Sequence, residues 1–457
     1  MSRWLLALAL AAACGGGPKV KEIMPPRPVD TPDGAHKAAV EQHVRGFVDD
    51  EVVGPIVIAL YDAGKREIYG FGTPRPDAAS LFELGAATKA YTGLLLADAV
   101  QRREVELDTA MAELLPPGVT APARDKVAIT LRMLALHSSG LPRVPPSLPG
   151  NSPDPWAKYD EEALYRDLVA TQLETTPGTQ VSYSNYGYGV LGFLLGKRAG
   201  IGFAKALATR VLVPLELTDT HLALAGAPPV GKLVKGTTDD LAPAPAWTWA
   251  ALAGAGGLVS SARDQLHFIE VELDAANGSK GPLRAPMRLT QETQLEETQP
   301  QNEGLGWQID SAGRFWSNGG TAGFRSFVAF DTKNKRGVVI LCATATSLVD
   351  GLGREMFDIL DGTAKPPPKR PTPEQLAAYA GSYDLTGTRL SITVKGKRLY
   401  LEGPGEPPHR MAAVSERQFW IEALQSLAVF QHDKDNKVVG IVFQVGTNQL
   451  AAARLPG

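Results

Sequence analysis

The sequence predicts an α+β protein that continues into a small all-β domain. Strand-like and helical patterns alternate between residues 54 and 342, which is typical of a sheet packed against helices. A proline-rich segment at residues 364–373 then breaks both patterns, and short strand-like runs separated by turns follow it. The 457 residues also exceed what one ordinary hydrophobic core holds, so we expect at least two domains.

The predicted elements follow in chain order. Residues 54–61 and 67–71 are apolar runs joined by a polar turn, which indicates a β-hairpin. Apolar side chains recur at helical spacing from residue 88 to residue 101, and residues 129–136 and 186–199 form further helical patterns. The remaining predicted strands are two runs joined by a polar turn within residues 327–342 and, beyond the linker, residues 390–394, 399–401 and 439–443.

The composition excludes several classes of function. Hydrophobic residues make up 44% and charged residues 21%, which is the mix of a soluble globular protein. The net charge of -3 and the scattered basic residues indicate no nucleic-acid partner. The 7 histidines lack the short spacings of a zinc site, so the sequence predicts no metal and no cofactor.

The N-terminus has the pattern of a secretion signal. Arg3 precedes an apolar run over residues 4–13, which is shorter than the about 20 residues of a transmembrane helix. The run ends at Cys14 and resembles a bacterial lipobox, in which the cysteine is lipidated. We therefore expect an exported protein, lipid-anchored in the bacterial cell envelope on its periplasmic face; secretion without an anchor is the alternative. The remaining Cys342 lies in an apolar run, which favours a buried strand thiol.

Changes of composition divide the chain into segments. The residues after Cys14 are rich in Gly, Pro and Lys, which indicates a flexible tether. The proline-rich segment further along indicates a stiff linker between two domains. The predicted boundaries are 1–14 for the signal segment and lipobox, 15–38 for the tether, 39–362 for the main domain, 363–373 for the linker and 374–457 for the small β-domain.

The first candidate motif lies at residues 82–89. A strand-like entry and Gly85 precede a helix, so residue 86 lies near the helix N-terminus and Lys89 lies one turn further on the same face. In serine acyl-transferases this spacing places a hydroxyl beside an ammonium group that helps to activate it. Here the pattern is A-x-x-K, with Ala86 in the nucleophile position. A lysine on an exposed helical face is the plain alternative.

The second motif lies at residues 177–185, directly before a predicted helix. Its Tyr183 and Asn185 resemble the Y-x-N loop of class C β-lactamases, DD-peptidases and related esterases. The resemblance implies that the tyrosine oxygen relays a proton and that the asparagine holds the substrate amide. A polar turn that caps the helix is the alternative.

The third motif lies at residues 315–325. It resembles the strand that carries K-T-G in β-lactamases and H-x-G in the esterase and peptidase branches. Ser317 occupies the position of the lysine or histidine, so the cationic residue is missing. The resemblance implies an oxyanion hole made by two backbone N–H groups, one of them from residue 86. It assigns the substrate-binding strand edge, including the second N–H group, to Asn318, Gly319 and Gly320.

Three further segments resemble landmarks of the same family. Residues 134–142 resemble its L-L-x-H-T-S-G-L-P turn, residues 256–264 its G-G-L-x-S-T-A-x-D segment and residues 304–307 its Y-G-L-G-W strand. Residues 40–360 are therefore similar to the serine β-lactamase-related family. The resemblance implies a β-lactamase/transpeptidase-like fold, in which an antiparallel sheet is flanked by helices and a helical lobe, with the site between them. The C-terminal segment is similar to the small lipocalin-like domain often attached to these proteins.

The two altered positions decide the expected activity. Ala86 has no hydroxyl with which to attack a carbonyl, and Ser317 supplies no positive charge. Loss of the nucleophile of a serine protease costs on the order of 10⁶ in rate. We therefore expect a natural pseudoenzyme, because an engineered substrate trap would leave the third motif intact. The alternative is an active serine hydrolase of β-lactamase, DD-peptidase or esterase type, either a nucleophile mutant or one with a displaced nucleophile such as Ser317.

The expected function is binding without turnover. Because Lys89, Tyr183 and Asn185 remain, the pocket would hold a small peptide, a cell-wall-like ligand or a β-lactam-like ligand. A structural envelope protein is a further alternative, in which the C-terminal domain drives assembly into a homo-oligomer. The family shares its motifs among peptidases, esterases and lactamases, so the sequence does not select one substrate.

Overall fold

The computed structural model describes residues 30–227, 231–294 and 302–456. The predicted signal segment and the lipidation site Cys14 lie outside these residues. The end of the predicted tether lies inside them, where Asp30–Thr31 forms a short strand and a helix begins at Lys37. Within the described ranges, none of the helices has the length and apolar character that crossing a membrane requires.

The described residues form nine α-helices before the proline-rich segment and one that begins at its end. The helix predicted over residues 88–101 has those bounds, and the one predicted over 186–199 begins and ends one residue earlier. The α-helices are α1 (Lys37–Asp49), α2 (Thr88–Gln101), α3 (Leu131–Ala135), α4 (Glu161–Ala170), α5 (Asn185–Arg198), α6 (Phe203–Leu207), α7 (Ala262–Ala276), α8 (Arg284–Gln291), α9 (Leu348–Asp361) and α10 (Pro373–Tyr379). Single turns of 3₁₀ or π helix occur at Gly85–Ala87, Met111–Leu114, Ala208–Leu212, Ala253–Ala255 and Glu422–Leu424.

The β-strands of the described residues fall into three sheets. In the main domain they are β1 (Asp30–Thr31), β2 (Ile56–Asp62), β3 (Lys65–Phe71), β4 (Leu81–Glu83), β5 (His221–Leu222), β6 (Leu258–Ser261), β7 (Asn302–Glu303), β8 (Gln308–Ile309), β9 (Phe315–Gly320), β10 (Arg325–Asp331) and β11 (Arg336–Cys342). After the linker they are β12 (Gly381–Leu385), β13 (Thr388–Lys395), β14 (Arg398–Glu402), β15 (His409–Ala413), β16 (Gln418–Ile421), β17 (Ser426–His432), β18 (Val438–Val445) and β19 (Asn448–Arg454).

The large sheet of the main domain is buried on both faces. Its strand order is β1-β3-β2-β11-β10-β9-β8-β7, and all neighbours are antiparallel except β1 with β3. Val57 and Ala59 of β2 pack into the core under the helical lobe, whereas Ile56 and Ile58 pack into the core with α1 and α9. Successive side chains of a strand point to opposite faces, so this strand is apolar throughout. The predicted antiparallel sheet flanked by helices is confirmed.

Helix α7 packs on one face of the sheet, and helices α2 to α6 form the helical lobe beside it. Helix α2 is buried on nearly all sides, which is typical of a helix in the centre of a domain. Helix α5 packs closely against the segment around residue 254, because a Cβ atom at Gly192 would lie 3.0 Å from the Cα of Gly254. The lobe therefore holds the start of α5 and the start of α2 in fixed positions beside the sheet.

Strands β12 to β19 close into an antiparallel barrel that follows α10. Aromatic and aliphatic side chains fill its interior, and the rings of Tyr379 and Phe430 stack with centroids 3.9 Å apart. The predicted small all-β domain after the proline-rich linker is confirmed.

Polar contacts attach the barrel to the main domain. Arg398 of β14 forms an ion pair with Glu51, with 2.6 Å between Nη2 and Oε2. Arg410 donates to the carbonyl oxygen of the same Glu51. Glu422 accepts a hydrogen bond of 2.9 Å from the backbone N–H of Ser347, the residue that precedes α9. The barrel therefore contacts the start of α9, the helix that packs against β10 and β11.

Candidate active site

Lys89 lies in the first turn of α2, directly after a 3₁₀ turn, and only 4% of it is exposed. Its Nζ donates to Tyr183 Oη at 2.8 Å, to Asn185 Oδ1 at 2.8 Å and to the carbonyl oxygen of Ala255 at 2.9 Å. An ammonium group has three protons, so each of them has an acceptor. The structure thus brings together the lysine of the first motif and both residues of the second.

Two glycines let the turn before α2 approach β9. Gly85 has φ +52°, in the left-handed region, and a side chain there would meet the backbone of Gly320. At Gly319 a Cβ atom would lie 2.0 Å from the carbonyl oxygen of Leu84 and 2.5 Å from the backbone nitrogen of Ala86. The backbone of Ala86 therefore lies against the strand of the third motif, as an oxyanion hole would require.

The environment shifts the acidity of Lys89 and Tyr183. Burial, together with the positive charge of Arg143, lowers the pKa of Lys89 well below its ordinary value. The Arg143 guanidinium carbon lies 5.0 Å from the centroid of the Tyr183 ring. Burial raises the pKa of Tyr183 to about 12, against the opposing effect of the positive Arg143 and Arg325. A lysine that gives up its proton readily, bonded to a tyrosine hydroxyl, is suited to general base catalysis.

His137 supports the tyrosine from the helical lobe. Its ring centroid lies 4.5 Å from that of Tyr183, and its Nδ1 accepts a hydrogen bond of 3.0 Å from the backbone N–H of Ser184. Burial lowers the pKa of His137 to about 3, so the ring is neutral at physiological pH. The Ser184 side chain also caps α5 by accepting a hydrogen bond of 2.9 Å from Gly187 N. Tyr183 and Asn185 are thus held on either side of a helix cap.

Ala86 has a methyl group where the first motif needs a hydroxyl. The hydroxyl oxygen of Thr88 is buried and accepts a hydrogen bond of 3.0 Å from the backbone of Leu258, so it faces away. Ser317 is 8% exposed and lines the same cavity as Ala86 and Lys89. In the part of the chain that the structure describes, the Ser317 hydroxyl has no hydrogen-bond partner.

The next residue of β9 is engaged by helix α9. The Asn318 Nδ2 donates to Asp350 Oδ2 at 2.7 Å, and the Nε of Arg325 donates to the other oxygen of the same carboxylate at 3.0 Å. The sequence assigns the backbone of Asn318 to the substrate-binding strand edge, and the side chain of this residue is held by an acidic side chain. Both its carboxamide nitrogen and the neighbouring guanidinium are used within the fold.

The cavity at the centre of the site has a volume of about 30 Å³, close to the share of one water molecule in the liquid. Its lining includes Ala86, Lys89 and Ser317 and also Glu303. Glu303 is 5% exposed, and burial raises its pKa to about 7. Sequence reasoning missed this residue. The available signal was the glutamate directly before Gly304, where the family landmark has a tyrosine.

Other reactive groups are not arranged for catalysis within residues 30–227, 231–294 and 302–456. In these ranges no group of three or more His, Cys, Asp and Glu side chains is placed to hold a metal ion. The thiol of Cys342 is fully buried at the end of β11, and burial raises its pKa to about 12. A thiolate nucleophile at this position is therefore excluded at neutral pH.

Comparison with known proteins agrees with this geometry. The beta-lactamase family model matches residues 40–362. The chain is 27% identical to a beta-lactamase of Escherichia coli strain K12 over 348 residues, which cover 66% of this chain and 87% of that protein. It is 27% identical to penicillin-binding protein 4 of Amycolatopsis lactamdurans over 333 residues, which cover 67% of this chain and 85% of that protein.

A further relative and a solved structure extend the comparison. The chain is 23% identical over 282 residues to the D-alanyl-D-alanine-carboxypeptidase/endopeptidase AmpH of Escherichia coli strain K12, covering 60% of this chain and 70% of that protein. A class C beta-lactamase structure matches with a TM-score of 0.61 at 18% identity, and the match covers 72% of this chain and 97% of the other. Because the family model spans most of the main domain and the fold agrees with a solved relative, the chain belongs to the beta-lactamase family.

Proposed function

We propose that this protein is a catalytically inactive member of the beta-lactamase family that binds its ligand without breaking it. The observation that carries the proposal is the alanine at position 86 beside an intact network of Lys89, Tyr183 and Asn185. The groups that move a proton and hold an amide are present, but the group that attacks a carbonyl is absent. Loss of such a nucleophile costs on the order of 10⁶ in rate.

The hydroxyl groups of Thr88, Ser184 and Ser317 support this proposal because none of them is arranged to replace the missing nucleophile. Thr88 and Ser184 have hydrogen bonds within the fold. Ser317 lies on β9 rather than at the start of α2, so an attack from its oxygen would come from the wall that holds the substrate in active relatives. An acyl-enzyme at Ala86 is chemically impossible.

The proposed ligand is a small peptide of the cell-wall type or a β-lactam-like molecule. The names of two relatives support this class, since one is a penicillin-binding protein and another a D-alanyl-D-alanine-carboxypeptidase/endopeptidase. The proposed location is the bacterial cell envelope, with a lipid anchor on Cys14, and the lipobox-like pattern supports it.

Intact-protein mass spectrometry tests the proposal. The purified protein and its Ala86→Ser variant are each incubated with benzylpenicillin and with a fluorophosphonate. We expect a mass increase for Ala86→Ser and none for the unchanged protein, while equilibrium dialysis with radiolabelled benzylpenicillin shows saturable, reversible binding to the unchanged protein. A mass increase of the unchanged protein would instead support an active hydrolase with a displaced nucleophile, and peptide mapping would show whether Ser317 carries the adduct.

A further inference from the structure

Glu303 is a buried acid whose charge the protein leaves unpaired. It is 5% exposed, and its side chain lines the cavity between Ala86, Lys89 and Ser317. Within the described residues, no hydrogen bond and no ion pair satisfies its carboxyl group. A buried carboxylate without a partner is costly, and such groups are normally paired in folded proteins. The position of Glu303 therefore leaves its charge to be neutralised either by a proton or by a positive group that enters the cavity.

Lys89 does not serve as that partner. Even in its charged ammonium form, its three protons already have acceptors in Tyr183, Asn185 and Ala255, so none is left for Glu303. Other positive groups near the site are also directed elsewhere, because Arg143 lies over the Tyr183 ring and Arg325 pairs with the Asp350 carboxylate.

The Ser317 hydroxyl is a hydrogen-bond acceptor in the same cavity as Glu303, and serine takes up less space there than a lysine or histidine would. It is a small neutral residue at the position where the resemblance places a lysine or histidine, and its hydroxyl has no partner among the described residues. The cavity is small, about 30 Å³, and is not closed off from solvent, so the head group of a longer ligand can enter it. A carboxylate would be repelled by Glu303 there, whereas a small cation with protons to donate would be attracted.

We propose that this cavity binds one primary ammonium group, held by the Glu303 carboxylate and the Ser317 hydroxyl, and that the ligand of this site carries that group as a free amine. The second part rests on the proposed function. In active relatives the protein would supply the cation from its own side chain at position 317; here the ligand supplies it. The same chemistry is available to a free small monovalent cation, so the experiment has two arms.

The first arm measures thermal unfolding in methylammonium chloride and, at equal ionic strength, in tetramethylammonium chloride, whose cation is too large and has no proton to donate. We expect methylammonium alone to raise the melting temperature, by about 2 °C at a concentration near ten times its dissociation constant. Glu303→Gln should abolish the difference. Glu83→Gln, which removes another buried carboxyl outside this cavity, should keep it.

Ser317→Lys provides a second variant in case Glu303→Gln folds poorly. It places a tethered ammonium group beside Glu303, so it should also abolish the methylammonium effect. The proposal would be overturned if both cations changed the melting temperature equally. It would also be overturned if the methylammonium effect persisted in both variants. Neither outcome depends on whether the protein binds penicillin.

The second arm compares two peptides by isothermal titration calorimetry at pH 8. They are Nα-acetyl-L-lysyl-D-alanyl-D-alanine and the same peptide acetylated also on the lysine Nε. We expect the free amine to bind at least about tenfold tighter, a difference of about 1.4 kcal/mol, and Ser317→Lys to remove the preference. Equal affinities beside a clear methylammonium effect would show that a free cation occupies the cavity and overturn the claim about the ligand. If neither peptide binds and penicillin does not bind either, both the proposed function and the claim about the ligand are overturned. The first arm still tests separately whether the cavity binds an ammonium group.

Discussion

The two walls of the pocket differ in whether their polar side chains have hydrogen-bond partners. We call Lys89, Tyr183 and Asn185 the retained wall and Ala86, Ser317 and Glu303 the altered wall. In the retained wall every proton of the lysine has an acceptor. In the altered wall, within the described residues, neither Ser317 nor Glu303 has a hydrogen-bond partner through its side chain.

This difference separates what the fold needs from what the reaction needs. Lys89 fills a buried place between α2, α5 and the segment at Ala255, so its removal would leave buried acceptors without a donor. Ala86 and Ser317 are small residues, and within the described residues no hydrogen bond of the fold depends on their side chains. A lysine at this position therefore does not by itself indicate catalytic turnover. A serine at position 86 would indicate it.

The largest expected effect comes from restoring the altered wall. Ala86→Ser should acquire slow acylation by benzylpenicillin, because Lys89 and Tyr183 remain in position to activate a hydroxyl. Adding Ser317→His should raise the acylation rate further, by about 10-fold or more, since it restores a cationic or proton-donating group. Stopped-flow or mass-resolved acylation rates measure both steps. A double variant slower than the single one would show that position 317 is not equivalent to the family's lysine or histidine.

The second prediction removes the lysine of the retained wall from the Ala86→Ser variant. Lys89→Met in the Ala86→Ser background should lower the acylation rate by about 100-fold or more, because the serine then lacks its base. Circular dichroism verifies that the double variant is folded. An acylation rate that stays within a factor of two would mean that Tyr183 or a solvent base activates the serine, and Lys89 would then be a structural residue.

The third prediction concerns the contact between the turn before α2 and β9. Gly319→Ala should lower the free energy of unfolding by at least about 3 kcal/mol, because its Cβ would lie 2.0 Å from the carbonyl oxygen of Leu84. Gly351→Ala is the matched control, since nothing lies within 4 Å of its Cβ position and it lies in α9. That control should be neutral or stabilising by up to about 1 kcal/mol. Urea unfolding followed by tryptophan fluorescence measures both, and equal values would contradict the tight approach.

The fourth prediction uses the titration of Glu303. Burial raises its pKa to about 7 in the folded protein, above the ordinary 4.5, so the unfolded chain releases this proton first as the pH rises. The protein should lose stability relative to Glu303→Gln between pH 4.5 and pH 7, by up to about 3 kcal/mol in total, and the loss should be complete above pH 7. Urea unfolding at pH 5 and pH 8 checks the sign. Parallel pH profiles would mean that Glu303 is already neutralised by a partner.

Sequence reasoning found the groups whose motifs are local. Lys89 follows from a three-residue spacing, Tyr183 and Asn185 from a two-residue spacing, and α2 from helical periodicity over its whole length. The short strand-like runs between turns likewise predicted the small all-β domain after the linker. These features depend on neighbours in the chain, which a sequence displays directly.

What sequence reasoning missed depends on distant contacts. The third acceptor of Lys89 is a backbone oxygen at Ala255, and no pattern of side chains marks it. Strand β7 has only two residues, too few for any period to indicate that Glu303 faces the site. The bond from Asn318 to Asp350 likewise depends on how α9 packs behind the sheet. Burial and pairing of this kind arise only when the chain is folded.

The hydrogen bond from Ser184 to His137 fixes the tautomer of that imidazole. Because Nδ1 accepts the bond, it carries no proton, and the single ring proton of the neutral form lies on Nε2. A ring locked in this state beneath Tyr183 neither takes up nor releases a proton near neutrality. Any return of catalysis in this protein would therefore pass its protons through the lysine and the tyrosine, and the imidazole of His137, whose ring lies against the tyrosine, would take no part in proton transfer.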